Sequence, residues 1–311
     1  LILSDTLSVV LLNWNTRELL ANALAALLPE AQPASGHQVI VVDNGSSDGS
    51  PDWVAEQYPA VDLIANPENR LYTLAINQGL AAAGGEHILL LNSDVEIGPQ
   101  DLLDLQNVLS EHAEIEAVAP AQVNRAGQVQ SVCMNFPTLP VPFFDQTLLG
   151  RLFPESKVLR HYYLREFSHR EPGYVVQPPG ACLLIRRQAY ERLGPLDETM
   201  PLYFSDVDYC QRMAQAGMKL YYTPAVQVFH AIGASTRQLP GVIERYHRDR
   251  ITYYRKYFGR PGAWVCKLAV LDLGLHETLK AYRNVGFGPD LRVFVRSLLA
   301  GMKRIWFETS R

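Results

Sequence analysis

Three near-continuous apolar runs, each closed by a polar cluster, constrain this chain most. Leu7–Leu12 (LSVVLL) runs into Asn13-Trp14-Asn15, and Gln38–Val42 (QVIVV) runs into Asp43-Asn44-Gly45-Ser46-Ser47-Asp48. Ile88–Leu91 (ILLL) runs into Asn92-Ser93-Asp94. Strands without apolar–polar alternation are buried on both faces, which is the environment of a parallel sheet covered by helices. The intervening segments read as those helices. Arg17–Leu28 has helical composition with Thr16 placed to cap it, and Ser50 opens a helix with Pro51 at its first position. Tyr72–Ala83 is closed by Gly84-Gly85, and a further helix runs from about Gln100 to Ser110; Val61–Ala65 supplies a short extra strand. This β-α-β-α rhythm predicts an α/β fold, a mostly parallel sheet with helices on both sides.

Beyond residue 125 the pattern loosens. Phe136–Phe144, with three prolines, reads as a loop, and the polar, aromatic stretch Tyr162–Pro179 as a mobile excursion. Order resumes with a strand at Ala181–Ile185, a helix after Arg187 and a helix from about Asp206 to Ala216. Strands follow near Lys219–Tyr222 and Val226–Phe229. After Pro240 the chain is helical to its end, broken at Gly259-Arg260-Pro261 and Gly286–Pro289. The expected organisation is one domain over 1–243, with halves of about 1–125 and 126–243, and a basic amphipathic helical extension over 244–311. The charge divides the same way. The chain carries −4 overall, but residues from Glu244 onward carry +8 and the remainder −12. A basic tail on an acidic body suits an anionic surface.

At 48% hydrophobic and 19% charged, the chain can build a sizeable core and is not disordered. Cys133, Cys182, Cys210 and Cys266 are scattered without a C-x-x-C pair, which predicts reduced, buried thiols in a cytoplasmic protein. The first residues, LILSDTLSVVLLNWN, have neither a basic n-region nor a small-residue cleavage site, so no signal peptide is expected. No run reaches the ~18 apolar residues of a membrane span.

In an open parallel sheet, ligands bind outside the carboxyl ends of the strands. One polar cluster there is ordinary turn chemistry; three at equivalent ends suggest a shared site. No GxGxxG or GxxxxGK[ST] follows the first strand, which argues against a dinucleotide dehydrogenase or a P-loop kinase. A carboxylate at Asp94 would repel phosphate unless a divalent cation lay between them, so Asp94 is expected to hold a metal that bridges to a diphosphate.

The motifs VVLLNWN, VVDNGSSDGS and LLLNSD resemble, in order and spacing, the nucleotide-binding half of the family 2 glycosyltransferases of GT-A fold. Gly180–Arg187 (GACLLIRR), Gly194–Glu198 (GPLDE), Phe204–Arg212 (FSDVDYCQR) and His230–Ser235 (HAIGAS) resemble its second half. The likeness covers about residues 7 to 258, nearest to the rhamnosyltransferase-like branch of bacterial surface polysaccharide assembly. It implies an inverting, metal-dependent transferase that moves a sugar from a dTDP- or UDP-sugar to a glycan or lipid-linked acceptor, with no nucleic-acid partner.

The resemblance assigns roles residue by residue. Asp206 becomes the catalytic base, though a first-turn acid favoured by the helix dipole is its plain alternative. Asn15, Asp43, Asn69, Arg70, Asn92, Ser93 and Asp94 become donor-binding residues, with Asp43 set to accept from the nucleobase imide. Gly180, Ala181 and Asp206 face the acceptor. Asp94 and His230 become the ligands of Mn²⁺ or Mg²⁺. Asn92 replaces the first Asp of the family's Asp-x-Asp element, Leu71-Tyr72 replaces its Gly-Phe, and Ser205 replaces its Glu. These departures keep alive a catalytically silent sugar-nucleotide binder; a nucleotidyltransferase, which also uses strand-end carboxylates and a metal, is the other alternative. The extension mixes Trp264, Leu268, Leu271 and Leu275 with Lys267, Lys280 and Arg283. It reads either as a helical pair packed on the core or as an interfacial helix on the anionic inner face of the plasma membrane.

Overall fold

The computed structural model describes residues 6–28, 37–178, 180–231, 239–285 and 289–308. Its first half follows the strand–helix rhythm: β1 (Leu7–Asn13), α1 (Arg17–Leu27), β2 (Gln38–Asp43), α2 (Ser50–Gln57), β3 (Asp62–Ala65), α3 (Leu71–Ala82) and β4 (His87–Asn92). Then come β5 (Val95–Glu96), α4 (Pro99–Glu111), β6 (Ala117–Val123) and the short helices α5 (Val141–Phe144), α6 (Leu148–Leu152) and α7 (Lys157–Tyr162). The remainder is β7 (Gly173–Val175), β8 (Cys182–Arg186), α8 (Arg187–Leu193), α9 (Ser205–Gln215), β9 (Leu220–His230), α10 (Val242–Val285) and α11 (Pro289–Glu308).

The chain clusters into two units. The first comprises Leu1–Met134, Phe167–Pro201 and Ser205–Leu239. It contains the whole sheet, in the order β3-β2-β1-β4-β8-β6-β9-β5, with β7 also paired to β9. Strands β3, β2, β1 and β4 run parallel; β8 reverses against β4 and β6, so the sheet is mixed beyond that point. On one face Val9, Leu11, Val41, Leu89 and Leu91 pack with Leu20 and Leu24 of α1 and Leu105 and Leu109 of α4. On the other face α3 lies so close that a Cβ on Gly79 would stand 2.2 Å from Val10 Cγ1. Burying each such aliphatic side chain stabilises the fold by about 1.5–3 kcal/mol, which explains why these strands tolerate no alternation.

The second unit comprises Asn135–Glu166, Leu202–Phe204 and Pro240–Arg311. Helix α10 packs against α5, α6 and α11. Its backbone leaves helical geometry at Gly259 (φ 64°, ψ −159°), just before Pro261, where the sequence places a break. Within this unit Asp145 is buried and accepts hydrogen bonds from the Tyr163 and Tyr246 hydroxyls at 2.6 and 3.1 Å.

Four expectations are corrected. The 136–144 loop ends in a helical turn, α5. The stretch 162–179, read as an excursion, contributes β7 to the sheet and buries His169, whose Nε2 accepts from the Cys133 amide at 3.1 Å. The two strands near 219–229 are one strand, β9. Its pairing with β6 jumps from Pro120↔Thr223 to Ala121↔Gln227, so residues 224–226 bulge out and hide its continuity in the sequence. Thr16 stands at the start of α1 but its side chain does not cap the helix; Asp48 Oδ2 accepts from the Arg17 amide at 2.9 Å instead. All four cysteines are free and buried. Among the described residues no helix is long and apolar enough to cross a membrane.

Candidate active site

The parallel register sets the strand tips side by side. Asn13 pairs with Asp43 across β1 and β2, and Leu12 with Asn92 across β1 and β4. The polar residues that follow therefore meet in one place. Asn13 Nδ2 donates to Asp43 Oδ2 at 2.8 Å, and Thr16 Oγ1 donates to Asn13 Oδ1 at 2.7 Å. The Thr16 and Ser93 hydroxyls lie 2.9 Å apart. Asp43 Oδ1 accepts the Ser46 amide at 2.9 Å, and Asn15 Oδ1 accepts the Ser47 amide at 2.8 Å. One buried network thus ties β1, β2 and β4, with Thr16 in its middle rather than on its helix. Both oxygens of Asp43 serve this network, and the residue is 1% exposed.

A second network shapes the loop before α3. Asn44 Nδ2 donates to Asn69 Oδ1 at 3.0 Å and to the Leu71 carbonyl at 3.1 Å; Asn44 Oδ1 accepts the Arg70 amide at 2.9 Å. This clamp leaves the Arg70 side chain exposed. It also holds Leu71 at φ 65°, the left-handed region where a glycine is at ease. Leu71 stands where the resemblance expects a glycine, and it adopts a conformation that a glycine takes without strain. Leu71→Gly should therefore be close to neutral, because relieved strain offsets lost packing and added chain entropy. Leu71→Ile, which branches at Cβ, should cost about 1 kcal/mol or more. Urea midpoints of the two variants check this.

On β4, Asn92 is half-buried, and its amide donates to the Ala181 carbonyl at 3.0 Å. Asp94, 7% exposed, follows it. His230, the last residue of β9, brings Nε2 to 3.4 Å from Asp94 Oδ1. Its Nδ1 lies 2.6 Å from Gln122 Oε1 on β6. The Gln122 carbonyl oxygen accepts from Nδ1, and Nε2 faces the Asp94 carboxylate. A proton on Nε2 or a cation shared by Nε2 and Oδ1 would join the two side chains there. Gln122 takes the orienting role that supports metal-bound histidines. Its only signal in the sequence is a polar residue inside an otherwise apolar strand, AVAPAQV. The other members of the His-x-x-Gly-x-Ser element, Gly233 and Ser235, lie outside the described residues.

Asp206 stands in the first turn of α9, half-buried, with Oδ1 accepting the Val207 amide at 2.9 Å. Burial raises its carboxyl above the ordinary carboxylate range, and the Val207 and Asp206 amides only partly offset this. Gly180 lies against it. A Cβ there would sit 3.0 Å from Asp206 Cβ and 3.2 Å from Oδ2. Ala181, next in the chain, carries the carbonyl that holds Asn92, so the Gly180-Ala181 step joins the β4 tip to Asp206. The same region is stitched to α3: Thr73 donates through its amide and hydroxyl to the Pro201 and Met200 carbonyls at 2.9 and 2.7 Å. Burial and the negative Asp206 both push the Tyr72 hydroxyl well above its usual value, so this phenol stays protonated. Asp208 points elsewhere. It is fully buried and accepts Arg212 Nε at 2.9 Å, and Arg212 also donates to the Leu193 and Pro195 carbonyls at 2.8 Å.

The arrangement offers a carboxylate–imidazole pair, a set of strand-tip amides and hydroxyls, and a separate carboxylate packed against Gly180. Among the described residues no group of three or more His, Cys, Asp or Glu is gathered for a metal. The protein thus supplies two candidate ligands, which suits a cation completed by substrate oxygens.

The sequence model of "Glycosyl transferase family 2" matches residues 8–194. The chain is 29% identical over 252 residues to the N-acetylglucosaminyl-diphospho-decaprenol L-rhamnosyltransferase of Mycobacterium tuberculosis, covering 76% of this chain and 80% of that protein. It is 22% identical over 239 residues to the rhamnosyltransferase WbbL of Escherichia coli, covering 75% and 82%. Among solved structures it is similar to the mannosyltransferase PcManGT from Pyrobaculum calidifontis in complex with GDP-Man and Mn2+. That match has a TM-score of 0.55 and 17% identity, and covers 99% of this chain and 88% of the other. It is also similar to GalNAc-T7 with UDP, GalNAc and Mn2+, with a TM-score of 0.56 and 14% identity, over 82% of this chain and 51% of the other. The two structural likenesses carry the fold.

Proposed function

This chain belongs to glycosyl transferase family 2 and has the GT-A fold, and from that premise we propose that it moves a sugar from a dTDP- or UDP-sugar to a lipid-linked glycan acceptor with inversion. The network that ties three strand tips, followed on the β4 tip by the Asp94–His230 pair, carries the reading: it suits a diphosphate without a glycine-rich phosphate loop. Asn15, Asn69, Arg70 and Asn92 line the donor side, with Asp43 and Ser93 buried directly beneath as the inner part of the donor-binding set. Asp94 and His230 would hold a divalent cation, Mn²⁺ or Mg²⁺, whose charge when bound offsets that of the leaving diphosphate. Asp206 takes the proton of the acceptor hydroxyl as its oxygen bonds to the anomeric carbon and the bond to the diphosphate breaks on the opposite side. Gly180 and Ala181 leave room for the acceptor. The names of the relatives support a rhamnosyl donor and a polyprenyl-diphosphate acceptor in bacterial cell-surface polysaccharide synthesis. On this reading the enzyme works in the cytoplasm at the inner face of the plasma membrane.

A thermal-shift panel of nucleotides with and without Mn²⁺, on wild type and Asp94→Ala, tests this. UDP or dTDP should raise the melting temperature only with metal, and Asp94→Ala should abolish that shift. A wild type blind to every nucleotide would sink the proposal, as would a shift unchanged in Asp94→Ala.

A further inference from the structure

We propose that the part of α10 beyond Gly259 carries a binding site for the phosphate headgroups of an anionic bilayer. Helical spacing sorts this segment into two apolar faces. Ala263, Cys266, Ala269 and Val270 are buried. Trp264, Leu268 and Leu271, spaced i, i+4 and i+7, point away from them and are 53%, 48% and 44% exposed. A helix with one packed apolar face has no need of a second unless something outside the chain covers it.

Cations border the exposed face. A cavity of about 330 Å³ is lined by Arg255, Arg260, Ala263, Trp264 and Lys267. None of these is acidic. Lys267 is only 6% exposed, donates to the Trp306 carbonyl at 2.7 Å and lies 5.8 Å from the centroids of both the Trp264 and Trp306 rings. Burial and the neighbouring Arg255 both lower its pKa. The guanidinium and ammonium groups of this lining are the donors that a phosphate headgroup takes. With a headgroup in the cavity, Trp264, Leu268 and Leu271 enter the interfacial layer, where an aromatic with a polar edge is at home. The +8 charge from Glu244 onward complements an anionic leaflet and no neutral one. A second copy of the chain would bring the same cations together and is disfavoured. This site deepens the membrane-borne acceptor reading by supplying the means of reaching it.

Flotation of the full chain with phosphatidylcholine vesicles, with and without phosphatidylglycerol, tests the site with no donor or acceptor present. Its result is thus independent of the transfer reaction. Wild type should float only with phosphatidylglycerol and be released by salt. Arg260→Gln, at an exposed position, should weaken binding about fivefold. Trp264→Ser should abolish the fluorescence quenching by brominated lipid that tracks insertion. Transfer to a water-soluble acceptor analogue should stay unchanged in both variants. Equal binding to neutral vesicles, no binding to either kind, or unaltered binding by the variants would overturn the proposal. So would complete competition by millimolar inorganic phosphate, which points to a soluble anion, or dimerisation lost in Trp264→Ser, which points to a second copy.

Discussion

Asp206→Asn is expected to reduce sugar transfer by roughly 10²- to 10⁴-fold while leaving metal-dependent nucleotide binding intact. The change keeps shape and the hydrogen bond from the Val207 amide, which the Asn carbonyl oxygen can accept, and removes only the proton acceptor. Because burial raises the Asp206 carboxyl, activity of the wild type should fall on the acid side at a pH above the ordinary carboxylate range. Stability should move the other way. A carboxyl whose folded pKa is raised contributes stability that is fully present below its unfolded pKa. That contribution is lost as pH rises through the folded pKa. At neutral pH the ionised Asp206 therefore destabilises the fold. Asp206→Asn should melt higher than wild type there, with the gap closing in acid. Melting curves across pH, read beside initial rates, separate a dead catalyst from a damaged fold. Full transfer activity in Asp206→Asn would remove the base assignment.

Gly45→Ala should destabilise the protein by about 3 kcal/mol and weaken nucleotide binding with it. Gly45 has φ 77°, and an added Cβ would lie 2.5 Å from the Glu68 carbonyl carbon, 2.7 Å from its Cα and 2.8 Å from the Asn69 nitrogen. All three are backbone atoms, so no side chain can swing aside. The loop that must shift is the one that presents Asn69 and Arg70. Gly127 supplies the control: its φ is 72°, but nothing lies within 4 Å of its would-be Cβ. Gly127→Ala should lose only the conformational part, about 1–2 kcal/mol. The difference between the two urea midpoints measures the close approach itself. Equal losses would show that the Gly45 turn and the 68–69 backbone do not depend on each other.

Much of the fold is legible in the sequence because its strongest signal is local. β1, β2 and β4 announce themselves as unbroken apolar runs, and the helices between them by composition and by their Pro and Gly ends. The polar clusters at the strand tips are legible for the same reason, since a carboxylate straight after a buried strand has few places to go. What stays hidden depends on partners distant along the chain. The sequence offers no sign that β9 is one strand, because its 224–226 bulge makes sense only against β6. Thr16 reads as a cap until Asn13 and Ser93 are seen beside it. Gln122 is a lone polar residue in a strand until His230 arrives from 108 residues away.

Leu71 and Asp206 mark the boundary between the two. The sequence by itself determined the residue types, the strand–helix order and the chemistry available at the tips, because hydrophobic period and turn preference act over a few residues. Only the tertiary structure decided which of those groups meet. The parallel register set Asn13 beside Asp43 and Asn92 beside Leu12, and the Asn44 clamp bent a leucine into a glycine's conformation. Packing against Gly180 buried a first-turn aspartate far enough to raise its pKa. Each of these is a long-range contact, and its energy exists only once the chain has folded.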